Sequence, residues 1–174
     1  MKPRLVILSD LWGEKKSKWV TNYVEILKNK FEIQYYDCCQ LAGIKVENTT
    51  QEEIHQQFIT GGIDKAVNNL LELECTPVTI LGFSVGGTIA YKAILKGLNA
   101  NRLYAISATR LRYEIDFPNN CKVYLYFGDQ DSFVPNQNWF AKEKIKFTIL
   151  KEKKHQMYIE EDFKILLCKE ILES

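Results

Sequence analysis

The 174-residue chain has no long apolar run. The first, Leu5-Val6-Ile7-Leu8, gives way to Ser9-Asp10, and none of the later ones exceeds a core strand or helix. A membrane span needs about 20 such residues and a secretory leader a longer apolar stretch than this, so neither is expected and the reading is cytoplasmic, with no membrane partner. Charge of one sign is equally scarce. With 23 Lys+Arg against 22 Asp+Glu, the sequence offers no general attraction to nucleic acid. Only two histidines are present, and the five cysteines (Cys38, Cys39, Cys75, Cys121, Cys168) form no CxxC pairs. That argues against a metal centre or a disulfide framework and for reduced, packed thiols. The vicinal Cys38-Cys39, read as part of a strand, would point to opposite faces, which disfavours a redox or metal pair. Repeats, low-complexity tracts and interdomain linkers are also missing. Residues 1–174 are therefore expected to form one domain, in which 46% hydrophobic residues suffice for a core without disulfides or metal.

What is present alternates between two periodicities. Short β-prone runs, Leu5–Leu8, Phe31–Tyr36, Val78–Leu81, Leu103–Ile106, Lys122–Phe127 and Phe147–Leu150, read as six strands. Between them, apolar residues recur at helical spacing: Trp19 to Leu27, Ile54 to Leu71, Ile89 to Leu98, and finally Phe163 to Ile171. Thr50-Gln51-Glu52-Glu53 fits a capping box, Gly61-Gly62 predicts a bend, and Pro135 suits the opening of a short helix. Strands alternating with helices imply an α/β doubly wound, six-stranded parallel sheet with helices on both faces and right-handed crossovers.

The third strand runs directly into Gly82-Phe83-Ser84-Val85-Gly86-Gly87 and then a helix. This is the strand–turn–helix setting of a G-x-S-x-G nucleophile elbow, in which glycines flank the serine because a Cβ there would strike the neighbouring strand or helix. The turn sets Ser84 at a helix N-terminus, whose free N–H groups favour a developing oxyanion. The same glycines lack the G-x-G-x-x-G spacing, and no GK[ST] follows, so a nucleotide-binding reading is disfavoured. A structural serine at a glycine-rich turn is the bland counterpart.

On these residues the sequence resembles the α/β-hydrolase family along nearly its whole length. The resemblance implies strand order 2-1-3-4-5-6, no lid insertion, and two partners for Ser84. Gly128-Asp129-Gln130-Asp131-Ser132-Phe133-Val134-Pro135 is similar to the family's acid loop with Asp131 in the acid position, although Asp129 shares the loop, and His155 follows the last strand as the base. A serine hydroxyl needs an imidazole to take its proton, and the imidazole needs a carboxylate to fix its tautomer. The resemblance further implies oxyanion donors at Val85 and, on the loop after the first strand, Leu11, where Ser9-Asp10 replaces the family's usual His-Gly. Lys153-Lys154 stands before His155 where the family often has Gly.

An open site is expected, walled by Leu11, Trp12, Phe83, Ala108-Thr109-Arg110 and Phe133, with Trp12, Phe83, Arg110 and Phe133 as substrate-binding residues. It would take a small-molecule ester or a carrier-linked acyl group, with no cofactor and no metal. Arg110, Arg112, Lys15, Lys16, Lys151, Lys153 and Lys154 either ring the mouth to attract an anionic substrate or form a solvated rim. The implied activity is that of a serine esterase or thioesterase working through an acyl-enzyme. The alternative is a hydrolase-fold binding or interaction protein with a misaligned, weak or inactive triad.

Overall fold

The computed structural model describes residues 2–141 and 145–174. Its six strands are β1 (Arg4–Leu8), β2 (Glu32–Tyr36), β3 (Val78–Phe83), β4 (Ala100–Ile106), β5 (Lys122–Gly128) and β6 (Lys146–Leu150). They form one parallel sheet in the order β2-β1-β3-β4-β5-β6. This is the order that the resemblance implied, and the burial of the strands agrees with it. β1 and β3 are nearly continuous apolar runs because helices cover both their faces, while β6, at an edge, is mostly exposed.

Alternation along the strands divides the interior in two. Val6, Leu8, Ile80, Leu103 and Leu125 face one cluster, packed under α2 (Cys38–Ala42), α4 (Ile63–Leu73) and α5 (Val85–Leu95). Leu5, Ile7, Leu81, Phe83 and Tyr104 face the other, under α1 (Val20–Leu27) and α7 (Glu161–Glu173). Between α2 and α4 lies α3 (Gln51–Gln57), opened by the capping box at Thr50, whose hydroxyl accepts from Glu53 N while Glu53 accepts from Thr50 N. A wide turn over Phe58–Gly62, with Gly61 at φ 115°, makes the bend predicted at the paired glycines.

Two local readings are corrected. Cys38 and Cys39 begin a helix rather than extend a strand, because the Asp37 carboxylate caps it by accepting from Cys39 N at 2.7 Å and Gln40 N at 3.1 Å. Both thiols are buried and donate to carbonyls of the β1 loop, Cys38 Sγ to Ser9 O and Cys39 Sγ to Leu11 O. Burial pushes the Cys38 thiol well above its usual range and the Cys39 thiol up to about 12, so both stay protonated. Pro135 does not open a helix. Asn136 is the cap of α6 (Gln137–Phe140), its side chain accepting from Trp139 N, and Pro135 stands just before it. No helix among the described residues is long and apolar enough to cross a membrane.

Candidate active site

The carboxyl ends of β3, β5 and β6 deliver three side chains to one place. Ser84 follows β3 on a turn so tight that it holds φ 50° and ψ −114°, a strained conformation for a residue with a Cβ. Its own N–H donates to Ile106 O at 2.7 Å, which ties the turn to β4. The glycine requirement has a direct cause. A Cβ on Gly82 would lie 2.7 Å from the Gly87 backbone, and one on Gly86 would lie 2.4 Å from Ser9 O and 2.8 Å from Leu8 O. The start of α5 is thereby pressed against the end of β1.

Ser84 Oγ lies 2.9 Å from His155 Nε2, and His155 Nδ1 lies 2.6 Å from Asp131 Oδ2. The Asp131 side chain is almost completely buried, whereas His155 is one-third exposed. Burial pushes the Asp131 carboxyl up, but the hydrogen bonds from His155 and Phe133 N and the nearby charges of His155 and Arg112 outweigh it and hold the pKa below the ordinary value. Asp131 is thus an ionised acceptor with one oxygen committed to the imidazole. Asp129, the other carboxylate of the loop, borders a different surface depression with Val134 and Phe140.

The acid and base loops are joined by backbone. Gln130 N donates to Lys153 O at 3.0 Å, and a Cβ on Gly128 would lie 2.1 Å from that same oxygen. Gly128 is required because the two loops touch main chain to main chain, an approach only glycine permits.

The first loop carries a feature the sequence reading did not single out. Asp10 is 2% exposed and accepts from Trp12 N at 3.0 Å, Ser17 Oγ at 3.0 Å and Tyr158 Oη at 3.2 Å. Burial raises its pKa against the lowering effect of those donors and of His155. Its bond to Trp12 N bends the chain around Leu11. Leu11 and Val85 border the same cavity as Ser84, and their N–H groups have no hydrogen-bond partner among the described residues.

That cavity has a volume of about 780 Å³ and is lined by more residues than expected. Arg110 and Phe133 line it, as does Thr109. The additional wall is α3 and the turn after it, which contribute Gln51, Glu52, His55 and Phe58. Two expected residues are elsewhere. Phe83 is fully buried, its ring 4.7 Å from Trp19 and 5.0 Å from Tyr23, because it shares strand parity with Leu81 and so faces the α1/α7 cluster. Trp12 is not among the cavity residues and instead lies under the Lys16 ammonium, 3.6 Å from the ring centroid. Ala108 is fully buried in the core.

The rim cations are mostly engaged. Lys15 pairs with Glu47, Lys153 with Glu160 and Asp162, and Arg112 donates to Thr109 O and Tyr113 Oη. Arg110 and Lys154 line the cavity without an ion pair among the described residues. Among those residues no group of three or more His, Cys, Asp or Glu gathers as a metal site would.

No protein-family model matches the sequence, and no curated protein matches it. Solved structures do resemble it. A Xanthomonas campestris protein assigned to the hydrolases of the alpha/beta superfamily superposes with a TM-score of 0.70 at 16% identity, covering 99% of each chain. The chain has the α/β-hydrolase fold. A second Xanthomonas campestris structure, an α/β serine hydrolase without a lid, gives a TM-score of 0.60 at 15% identity over 97% of this chain and 79% of its own. A structure from a study of carboxylesterases of Nitrososphaera gargenis gives 0.65 at 14% identity over 98% and 90%. In this α/β-hydrolase fold the cavity sits outside the carboxyl ends of the strands, where ligands of open α/β sheets characteristically bind.

Proposed function

We propose that the protein is a serine hydrolase that cleaves carboxylic esters or thioesters through an acyl-enzyme. The observation that carries this reading is the unbroken relay from Ser84 Oγ to His155 Nε2 at 2.9 Å and from His155 Nδ1 to Asp131 at 2.6 Å, at the mouth of a cavity. Ser84 attacks the acyl carbon as His155 takes its proton, and the resulting imidazolium protonates the leaving oxygen or sulfur. Water then repeats the sequence on the acyl-enzyme, with His155 as base, and releases the acid. Asp131, held ionised, keeps the Nδ1 proton in place and stabilises the imidazolium. Leu11 and Val85 N–H receive the oxyanion, assisted by the N-terminus of α5. The named resemblance to serine hydrolases and carboxylesterases supports the class.

A fluorophosphonate probe tests it. The wild-type protein should become covalently labelled and Ser84→Ala should not, with ester turnover falling by a factor on the order of 10⁴ or more in the variant. A folded wild-type protein that neither labels nor turns over any ester or thioester would point instead to a binding protein built on the same fold.

A further inference from the structure

The cavity is polar in one particular place. Thr88 borders the cavity from α5, one helical turn beyond Ser84, but it is 2% exposed with its hydroxyl oxygen shielded, so the available polar group of this wall is Arg110. Arg110, on the turn after β4, lines the same cavity and has no carboxylate partner among the described residues. His55 stands close by on α3, and burial together with the charges of Arg110 and Arg112 lowers its pKa, which marks this corner as a region of positive potential.

The two faces of the sheet separate this corner from the base. Thr88 and Arg110 belong to segments packed on the α2/α4/α5 cluster, whereas His155 is followed, after Gln156, by Met157 and Tyr158 of the α1/α7 cluster. His155 must protonate the leaving atom, which puts the leaving group beside His155 and leaves the wall carrying Arg110 to the acyl chain in this reading. Three anionic side chains also border the cavity. Asp131 is held by His155 and Glu160 by Lys153, which leaves one carboxylate, Glu52, and two cations, Arg110 and Lys154, lining the cavity without an ion pair among the described residues.

We propose that the wall carrying Arg110 is an acyl subsite selecting acid-terminated acyl groups, whose terminal carboxylate pairs with Arg110. The inference rests on the hydrolase reading above and names the substrate class of that site. Arg110 brings a planar donor fork matched to a carboxylate, in a partly desolvated setting where such a pair discriminates strongly.

The test compares the p-nitrophenyl half-ester of glutarate with neutral p-nitrophenyl butyrate, and both with 4-carboxyphenyl butyrate, in which the charge sits on the leaving group. The glutarate half-ester should have the highest kcat/KM relative to the intrinsic reactivity of each ester, and its advantage should shrink with added salt. Arg110→Gln should lower the glutarate-to-butyrate ratio by about tenfold, and Arg110→Lys by less. Fluorophosphonate labelling of each variant confirms that it is folded. An unchanged ratio in Arg110→Gln, a preference for the leaving-group charge, or labelled enzyme that turns over none of the three overturns the acyl subsite. Absent labelling and absent turnover in the wild type would instead remove the hydrolase reading itself.

Discussion

Two aspartates that feel the charge of the same imidazole are pushed in opposite directions. Asp10, after β1, and Asp131, after β5, are both buried, and both carboxylates accept from a backbone N–H two residues on, Trp12 and Phe133 respectively. Asp10 receives only neutral donors directly, so desolvation prevails and its pKa rises. Asp131 contacts the imidazole at 2.6 Å, so its pKa falls despite burial. Position at a strand end and burial are therefore not enough to make a carboxylate an acid-loop partner. What separates them is whether the bond is completed by a group that can carry positive charge.

The comparison is broken most severely by Asp131→Asn. The loop geometry should survive, but the amide no longer enforces the productive tautomer, and kcat should fall by a factor on the order of 10⁴. Thermal unfolding measured alongside separates that loss from misfolding. Next in size is Asp10→Ala, which strands three donors. At about 1–3 kcal/mol for each buried group left unpaired, denaturant unfolding should show a loss of several kcal/mol. Asp10→Asn keeps an acceptor for Trp12 N and Ser17, and Tyr158 can reverse its hydroxyl, so its effect near neutral pH should stay within about 1 kcal/mol.

Smallest, and most specific, is the pH dependence. Asp131, with its pKa lowered by folding, contributes stability that is present above the unfolded carboxylate value near 4 and is lost as pH falls through the folded value. Asp10, with its pKa raised, does the reverse. Its folded form retains a proton that the unfolded chain has released, so stability declines as pH rises through that window. Relative to wild type, Asp10→Asn should become progressively more stable as pH is raised from about 3 to 7, and Asp131→Asn progressively less. Parallel curves for the two variants would mean that the two carboxylates share one environment after all.

Most of the architecture was legible because it rests on periodicity. Continuous apolar runs marked the buried strands, and the Gly82–Gly86 spacing marked a turn whose clearances leave no room for a Cβ. Phe83 was misassigned although the signal was available. It lies two residues after Leu81 on one strand, so both must face the same layer, away from α5. The helix at Cys38 was hidden because five residues carry too little periodicity to declare themselves, and only Asp37, a strong cap, announced it. The wall built by Gln51, Glu52, His55 and Phe58 had no local signature. It depends on how the turn at Gly61 folds α3 over the strand ends, which is a tertiary fact. Asp10 was legible as a residue but not as a buried one, since its burial depends on Tyr158, 148 positions away.

The main-chain contact between Gly128 and Lys153 bears on how this chain can change length over evolution. Because the acid and base loops are clasped at that point, a residue inserted on either strand-proximal side, between Gly128 and Asp131 or between Lys153 and His155, would slide one member of the pair out of register with the other. Insertions beyond the clasp, after Phe133 or after Ile159, would leave it untouched. Those two distal segments are where a cover over the cavity could be acquired without first dismantling the pair beneath it.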